Sequence, residues 1–155
     1  YTHHHRPVTD AKMFDEHVAV SSSFDKTVDF WDTRALTRRV AQLKGHHAGV
    51  NHFDFAREKV VTASNDKTVM VWDHRQPLRP LHTFTGHTAE VITVRADYTH
   101  VVTAAKDATL HVFDAATFRP VRAVPTGATV SALVFDDWHL FCGCTNGSLL
   151  AFDFS

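Results

Sequence analysis

Residues 64–73 read SNDKTVMVWD, and close copies of this stretch recur along the chain. Residues 23–32 read SFDKTVDFWD and residues 105–114 read AKDATLHVFD, so the three copies align without a gap. A fourth copy at 145–153 reads TNGSLLAFD, is one residue shorter and has Asn146 in place of the aspartate. A repeat of this kind decides the whole fold, because each copy predicts one supersecondary unit.

Each copy ends on an aromatic residue followed by aspartate. The four pairs are Trp31-Asp32, Trp72-Asp73, Phe113-Asp114 and Phe152-Asp153. Their aromatic residues stand 41, 41 and 39 positions apart (31 to 72, 72 to 113, 113 to 152). A Gly-His dipeptide precedes the second and third copies, at Gly45-His46 and Gly86-His87. The histidine is lost before the fourth copy, at Gly127-Ala128, while His4-His5 stands near the matching place in the first copy without the glycine.

In these residues the chain resembles the WD-repeat family, whose repeats are about 40–45 residues long and combine Gly-His with Trp-Asp. The resemblance covers nearly the whole chain. It implies an all-β propeller in which each repeat supplies a four-stranded blade. The expected repeats are approximately 4–43, 44–84, 85–125 and 126–155, in one domain spanning 1–155. The last repeat stops after its third predicted strand, so we expect the four blades to be part of a larger propeller.

Runs rich in Val, Phe and Thr predict the strands directly. In the second repeat they lie at 50–55, 60–64, 68–72 and 81–84; in the third they lie at 91–96, 101–105, 109–113 and 121–124. Asn65-Asp66 is a turn dipeptide between two of them. Many runs are apolar at successive positions, which is typical of strands covered on both faces.

The resemblance also implies a buried hydrogen-bonded set of His, Ser or Thr, Asp and Trp in each blade. The matching residues are His46, Thr62 or Ser64, Asp66 and Trp72; His87, Thr103 and Asp107; and Asp25 with Trp31. Phe113 replaces the tryptophan of the third set and cannot donate an indole hydrogen bond. A His–Asp pair also resembles part of a catalytic triad, but an active site occurs once, whereas this pair recurs at the repeat period. We therefore interpret the sets as structural.

Family members tend to bind partners through the residue before the turn aspartate and the ends of the first strand. The resemblance places Phe24, Asn65, Lys106 and Thr145 in the first group, and Asn51, Glu90, Ile92 and Ser131 in the second. Phe24 stands out because its equivalents are polar, and exposed aromatic residues are enriched in binding hot spots.

Composition and motifs argue against several other classes. Lys plus Arg number 16 and Asp plus Glu 17, which is not the basic balance of a dedicated polyanion binder. No apolar run approaches the ~18 residues of a membrane span. Cys142 and Cys144 are too few for a disulfide framework, and we expect a cytoplasmic or nuclear protein. The His3–His5 run and Cys142-Gly-Cys144 lack the usual ligand spacing, so no metal site and no cofactor are predicted. No nucleophile or phosphate-loop motif occurs, so no enzyme activity is predicted.

The function favoured by the sequence is a non-catalytic scaffold that holds other proteins in a complex. One alternative rests on Arg34 and Arg75, which give W-D-x-R in consecutive repeats. Residues 60–75 resemble the box of WD proteins that act as substrate receptors of cullin-4 ubiquitin ligases, where the matching arginine engages the ligase adaptor. A further alternative is a component of an RNA–protein assembly.

Overall fold

The computed structural model describes residues 3–35, 38–136 and 139–153, and it forms fifteen strands in four antiparallel sheets. Each sheet is a meander in which consecutive strands pair with one another. The first sheet, blade 1, contains β1 (Val8–Met13), β2 (Val18–Ser23), β3 (Thr27–Asp32) and β4 (Arg39–Lys44). Blade 2 contains β5 (Val50–Ala56), β6 (Lys59–Ser64), β7 (Val69–Asp73) and β8 (His82–Phe84). Blade 3 contains β9 (Val91–Ala96), β10 (His100–Ala105), β11 (Thr109–Asp114) and β12 (Pro120–Pro125).

Blade 4 has three strands among the described residues, β13 (Val130–Phe135), β14 (His139–Cys144) and β15 (Leu149–Asp153). The all-β propeller fold is therefore as the repeat predicts, and each strand expected in blades 2 and 3 begins and ends within one residue of its predicted bounds. The expectation that this last repeat stops after its third strand also concerns residues 154 and 155, which lie outside the described part of the chain.

The inner strand of every blade carries a β-bulge near its beginning. The register shifts at Thr9 in β1, Asn51 in β5, Ile92 in β9 and Ser131 in β13. A bulge leaves one residue out of the ladder and re-aims its side chain. Three of these four residues were expected to reach a partner, and the bulge is the physical feature that sets them apart from their neighbours.

The blades stack through two different faces. One face, here called the histidine face, carries the Ser or Thr and the Trp of the buried set. The other is the forward face. Forward-face residues of blade 1, such as Phe30, pack against histidine-face residues of blade 2, such as Phe53 and Trp72, in one buried cluster. Equivalent clusters join blade 2 to blade 3 and blade 3 to blade 4. Because both faces are covered, internal strands are apolar on both sides, as the sequence indicates.

The turn after each second strand has a residue in the left-handed region. These residues are Lys26 (φ 78°), Lys67 (71°), Ala108 (58°) and Gly147 (84°). Only glycine adopts this conformation without a steric penalty. The preceding Asp or Asn helps to hold the turn: Asp66 accepts hydrogen bonds from both the backbone and the hydroxyl of Thr68, at 3.0 and 2.6 Å.

Candidate functional site

The buried set of blade 2 links four elements of the blade. The imidazole of His46 contacts the Asp66 carboxylate through Nδ1 at 2.8 Å and the Thr62 hydroxyl through Nε2 at 2.7 Å. The Trp72 indole donates to the same hydroxyl at 2.9 Å. Of the two residues proposed for the hydroxyl position, Thr62 therefore belongs to the set. Ser64 instead accepts the backbone N–H of Asp66 at 3.1 Å and closes the turn.

Blade 1 has the same set, and its histidine is His4. The imidazole contacts Asp25 and the Ser21 hydroxyl, each at 2.8 Å, and Trp31 donates its indole hydrogen bond to Ser21 at 2.8 Å. The sequence interpretation placed Asp25 and Trp31 in a set but overlooked Ser21 and left His4 without a role. Repeat alignment was the available signal for Ser21, which matches Thr62. For the histidine, the 20-residue spacing of His46 from its aspartate would select His5, and only the structure shows that His4 contacts Asp25.

Blade 3 keeps part of the set and replaces the rest. His87 contacts Asp107 at 3.2 Å and the Thr103 hydroxyl at 2.9 Å. Phe113, in place of tryptophan, is buried but offers no hydrogen bond. His111 stacks on His87, with ring centroids 4.1 Å apart. No sequence argument singled out His111, which occupies the position of Met70 in the repeat.

The described residues of blade 4 do not form the buried His–Asp set of the other blades. Cys142 stands where the other blades have Thr or Ser, and Asn146 stands where they have aspartate. Cys142 and Cys144 are free and buried in the cluster between blades 3 and 4, as expected for core positions on one side of a strand. Burial, with the neighbouring Cys144 as a smaller contribution, raises the pKa of the Cys142 thiol to about 11. Such a thiol is unreactive near neutral pH.

The aspartates of the three sets are held in the ionised form. Burial alone would raise the pKa of each carboxyl group. Hydrogen bonds from the threonine hydroxyl of the turn, and interactions with the histidine of the set, outweigh burial. They lower the pKa of Asp25 and of Asp107 to about 2, and they also lower the pKa of Asp66. A carboxylate that is this strongly stabilised is a poor proton acceptor at neutral pH, which fits a structural role.

The turns after each second strand lie together on one edge of the blades, here called the turn edge. In all four blades the residue preceding the turn Asp or Asn donates its backbone N–H to a carbonyl at the start of the inner strand. These bonds join Phe24 to Pro7, Asn65 to Gly49, Lys106 to Glu90 and Thr145 to Thr129, at 2.9 to 3.1 Å. The structure therefore brings the predicted partner-binding residues to one edge and anchors their backbones in the same way.

Several of these side chains already have intramolecular partners. The amide of Asn51 donates to Asn65 at 2.6 Å and to the Val91 carbonyl of the next blade at 2.7 Å. Thr9, its equivalent in blade 1, likewise donates to the Val50 carbonyl at 2.8 Å. These bulge residues therefore connect neighbouring blades, a role that the sequence did not indicate.

The remaining predicted residues differ in how far their side chains are free to contact a partner protein. Lys106 forms an ion pair with Glu90, so two expected contact residues pair with each other. Ile92 is half-buried, and the exposed Ser131 donates to the Gly143 carbonyl of its own blade at 3.1 Å. Phe24 is 38% exposed, and the rest of its ring covers Gly49. A Cβ added at Gly49 would lie 2.6 Å from that ring, so Phe24 packs on the adjoining blade as well as facing solvent.

Arg34 and Arg75 lie at the opposite edge, in the loops between third and fourth strands. The Arg34 guanidinium binds both oxygens of Asp32, through Nε and Nη2 at 3.0 Å each, and these bonds lower the pKa of Asp32 to about 2. The Arg75 guanidinium pairs with Glu58. Both arginine side chains are largely exposed despite these contacts.

Within 3–35, 38–136 and 139–153, no three His, Cys, Asp or Glu side chains are grouped closely enough to hold a metal ion. No helix in the same residues is long and apolar enough to cross a membrane.

The sequence model described as "WD domain, G-beta repeat" matches residues 37–73 and 78–114, the two repeats that keep Gly-His. The chain belongs to the WD-repeat family. WD repeats generally mediate protein–protein interactions or scaffolding, and such domains are typically non-catalytic. No curated protein matches the sequence significantly.

Two solved structures of designed propeller proteins show the same architecture. The crystal structure of the computationally designed Ika4 protein is 25% identical, with a TM-score of 0.89, and the match covers 99% of this chain and 95% of that one. The computationally designed Ika8 protein is also 25% identical, with a TM-score of 0.88, and the match covers 97% of this chain and 46% of that one. The four blades therefore superpose on a chain of similar length and on less than half of a longer one.

Proposed function

We propose that this WD-repeat protein is a non-catalytic scaffold that holds partner proteins in a multiprotein complex through its turn edge. The observation that carries the proposal is the exposure of Phe24 beside a set of cationic side chains. Lys26 and Lys67 are exposed at the left-handed positions of neighbouring turns, and Lys106 follows in blade 3. An exposed aromatic ring with charged neighbours is a common composition of binding hot spots.

The charges of this edge favour a partner with an acidic surface. Asp25, Asp66 and Asp107 also lie in these turns, but their oxygens accept hydrogen bonds within the buried sets. Their carboxylates are therefore directed into the blades. The amino group of Lys106 is paired with Glu90, but Lys26 and Lys67 are exposed to solvent, where they attract and orient an acidic partner.

Partner recovery from an extract of the source organism tests this function. Wild type should capture a defined set of proteins, and the double variant Phe24→Ala, Lys106→Glu should lose them at an unchanged melting temperature. Arg79 is exposed in a loop of the opposite edge, so Arg79→Glu is the matched control and should bind as wild type does. Unchanged capture by the double variant contradicts the proposal, and a lowered melting temperature would assign Phe24 to the packing against Gly49.

A second candidate is a substrate receptor of a cullin-4 type ubiquitin ligase. The observation in its favour is that Arg34 and Arg75 are exposed at equivalent positions of consecutive blades. Arg75→Ala should abolish recovery of cullin-4 subunits while leaving the melting temperature unchanged, because the arginine lies outside the blade core. If wild type recovers no cullin-4 subunit, this candidate is eliminated; recovery of RNA-processing or ribosomal proteins would favour the RNA–protein assembly instead.

A further inference from the structure

The forward face of blade 4 is exposed, although the same face is buried in every other blade. In blades 1 to 3, three forward positions on the second and third strands are at most 3% exposed. They are Val20, Val28 and Phe30; Val61, Val69 and Val71; and Val102, Leu110 and Val112. In blade 4 the equivalent residues are Phe141, which is 40% exposed, Leu149, which is 71% exposed, and the exposed Ala151.

The histidine face of blade 1 is likewise exposed, although the same face is buried or half-buried in the other three blades. Register places Val8, Ala11 and Met13 of its inner strand opposite Ser23, Ser21 and Ala19. The equivalent residues are Val50, Phe53 and Phe55 in blade 2; Val91, Val94 and Ala96 in blade 3; and Val130, Leu133 and Phe135 in blade 4. All of these equivalents are buried or half-buried. Val8 and Met13 are 54% and 55% exposed, and Ala11 is exposed as well.

These two open faces are the two halves of the interface that the repeat builds three times inside the chain. A forward face packs on a histidine face between blades 1 and 2, 2 and 3, and 3 and 4. The surface that fits the forward face of blade 4 is therefore the histidine face of a WD blade. The chain itself carries one such face uncovered, at the far end of its own arc.

We propose that two copies of this chain associate head to tail, with blade 4 of each packing on blade 1 of the other. Each copy has one open face of each kind, so two copies cover all four faces. A head-to-tail contact produces a ring when its rotation closes and a filament when it does not. The superposition on Ika8 supports closure by two copies, since the four-blade arc follows 46% of that chain and leaves room for a second arc of equal length.

Sedimentation of the 155-residue chain over a concentration series is the first test. The expected mass is twice the 17.4 kDa of one chain, with dissociation to monomer on dilution. Leu149→Asp and Val8→Asp each place a carboxylate in the proposed interface and should weaken the pair by about a hundred-fold or more. Leu78→Asp is the matched control, because Leu78 is 93% exposed away from both faces, and it should leave the pair unchanged.

Mixing the two variants distinguishes head-to-tail pairing from other modes. In a mixed pair, the intact blade 4 of the Val8→Asp copy meets the intact blade 1 of the Leu149→Asp copy, while both altered faces meet at the second contact. The mixture should therefore recover a pair of intermediate strength that neither variant forms alone. Circular dichroism confirms that each variant keeps its strands.

Three results overturn the proposal. The first is a wild-type chain that stays monomeric throughout the concentration series. The second is a continuous ladder of larger species, which indicates an open filament. The third is a pair that persists in both Leu149→Asp and Val8→Asp, or that the control Leu78→Asp weakens to the same extent.

Discussion

His111 stacks on His87, with ring centroids 4.1 Å apart and ring planes 24° apart. The stack occupies the place that an indole takes in blade 2. A Cβ added at Gly45 would meet the ring of Trp72, at 2.8 Å, whereas a Cβ added at Gly86 would meet the ring of His111, at 3.3 Å. In blade 3 a second histidine thus packs where the missing tryptophan would, against the Gly-His segment that enters the blade.

The histidine stack should make stability depend on pH. Burial lowers the pKa of both imidazoles, and for His87 the nearby His111 lowers it further, while Asp107 opposes the shift. Because the folded pKa lies below the ordinary value of 6.5, the stack contributes its stability above that pH and loses it as pH falls through the folded pKa. His111→Met, which copies Met70 of blade 2, should flatten the fall in unfolding free energy as pH decreases below 6.5.

Urea melts at a series of pH values measure this effect. His47→Met, at an exposed histidine outside the stack, is the control and should retain the wild-type profile. The carboxylates of Asp25 and Asp107 act in a separate window, since their pKa values of about 2 affect stability only below their ordinary 3.8. An unaltered profile in His111→Met would show that the stack is not the origin of the pH dependence.

Restoring tryptophan to blade 3 should succeed only when His111 is also changed. Phe113→Trp alone adds volume next to the stacked histidines and should destabilise the protein by about 1–3 kcal/mol. The double variant Phe113→Trp, His111→Met reproduces the pair found in blade 2, with Thr103 available to accept the indole hydrogen bond. A double-mutant cycle of unfolding free energies should give a favourable coupling. If the effects of the two changes were simply additive, the idea that His111 occupies the place of the missing tryptophan would be wrong.

The hydroxyl of Thr62 should contribute more to stability than that of Thr103. Thr62→Val leaves the buried Trp72 indole and the His46 imidazole without their partner, at about 1–3 kcal/mol for each group. Thr103→Val leaves only His87 without its partner, so the two variants should differ by about 1–3 kcal/mol in denaturant melts. Equal costs would indicate that the Trp72 hydrogen bond contributes nothing.

Two further changes in blade 2 test the assignment of the set. Asp66→Ala should cost about 1–3 kcal/mol by removing the acceptor of His46. The Trp72 indole donates to Thr62 and keeps that bond in this variant. Trp72→Ala should cost about 3–5 kcal/mol through lost packing. A neutral result for either variant would contradict the burial of the set.

Glycine should stabilise the turn of blade 3. Ala108 has φ of 58°, and the equivalent turn in blade 4 already has glycine at Gly147. The left-handed conformation costs an alanine about 1–2 kcal/mol, and glycine adds about 0.5–1 kcal/mol of chain entropy, so Ala108→Gly should gain up to about 1.5 kcal/mol. Ala116→Gly, at an exposed position that is not among the positive-φ residues, should instead lose stability.

The repeat predicted the fold because its signals are local and recur. Turn residues, apolar strand runs and the aromatic–Asp pairs each specify short segments, and their spacings of 41, 41 and 39 residues place them in equivalent sheets. The roles of Thr62 and Ser64 remained open in the sequence because both lie on one strand with side chains on the same side. Only the position of the His46 ring in space selects Thr62 for the set.

The candidate partner residues were less predictable for a related reason. The alignment placed Asn51 and Asn65 at positions that often contact partners, but it could not show that they bond to each other. Phe24 lies beside Gly49, a residue 25 positions away, because blades 1 and 2 bring their turn edges together. Contacts between blades depend on how the sheets stack, and no local pattern encodes them.

The sequence by itself determined the repeat and its strand runs, because these follow from periodicity and turn chemistry within about 40 residues. Its resemblance to WD repeats implied the propeller architecture and the residue types of the buried sets. The tertiary structure alone decided that His4 completes the first set, that His111 replaces the lost indole, and that blades 1 and 4 each leave one face uncovered. Those features depend on the packing of residues distant in sequence, where the available space and the nearest polar atom select the contact.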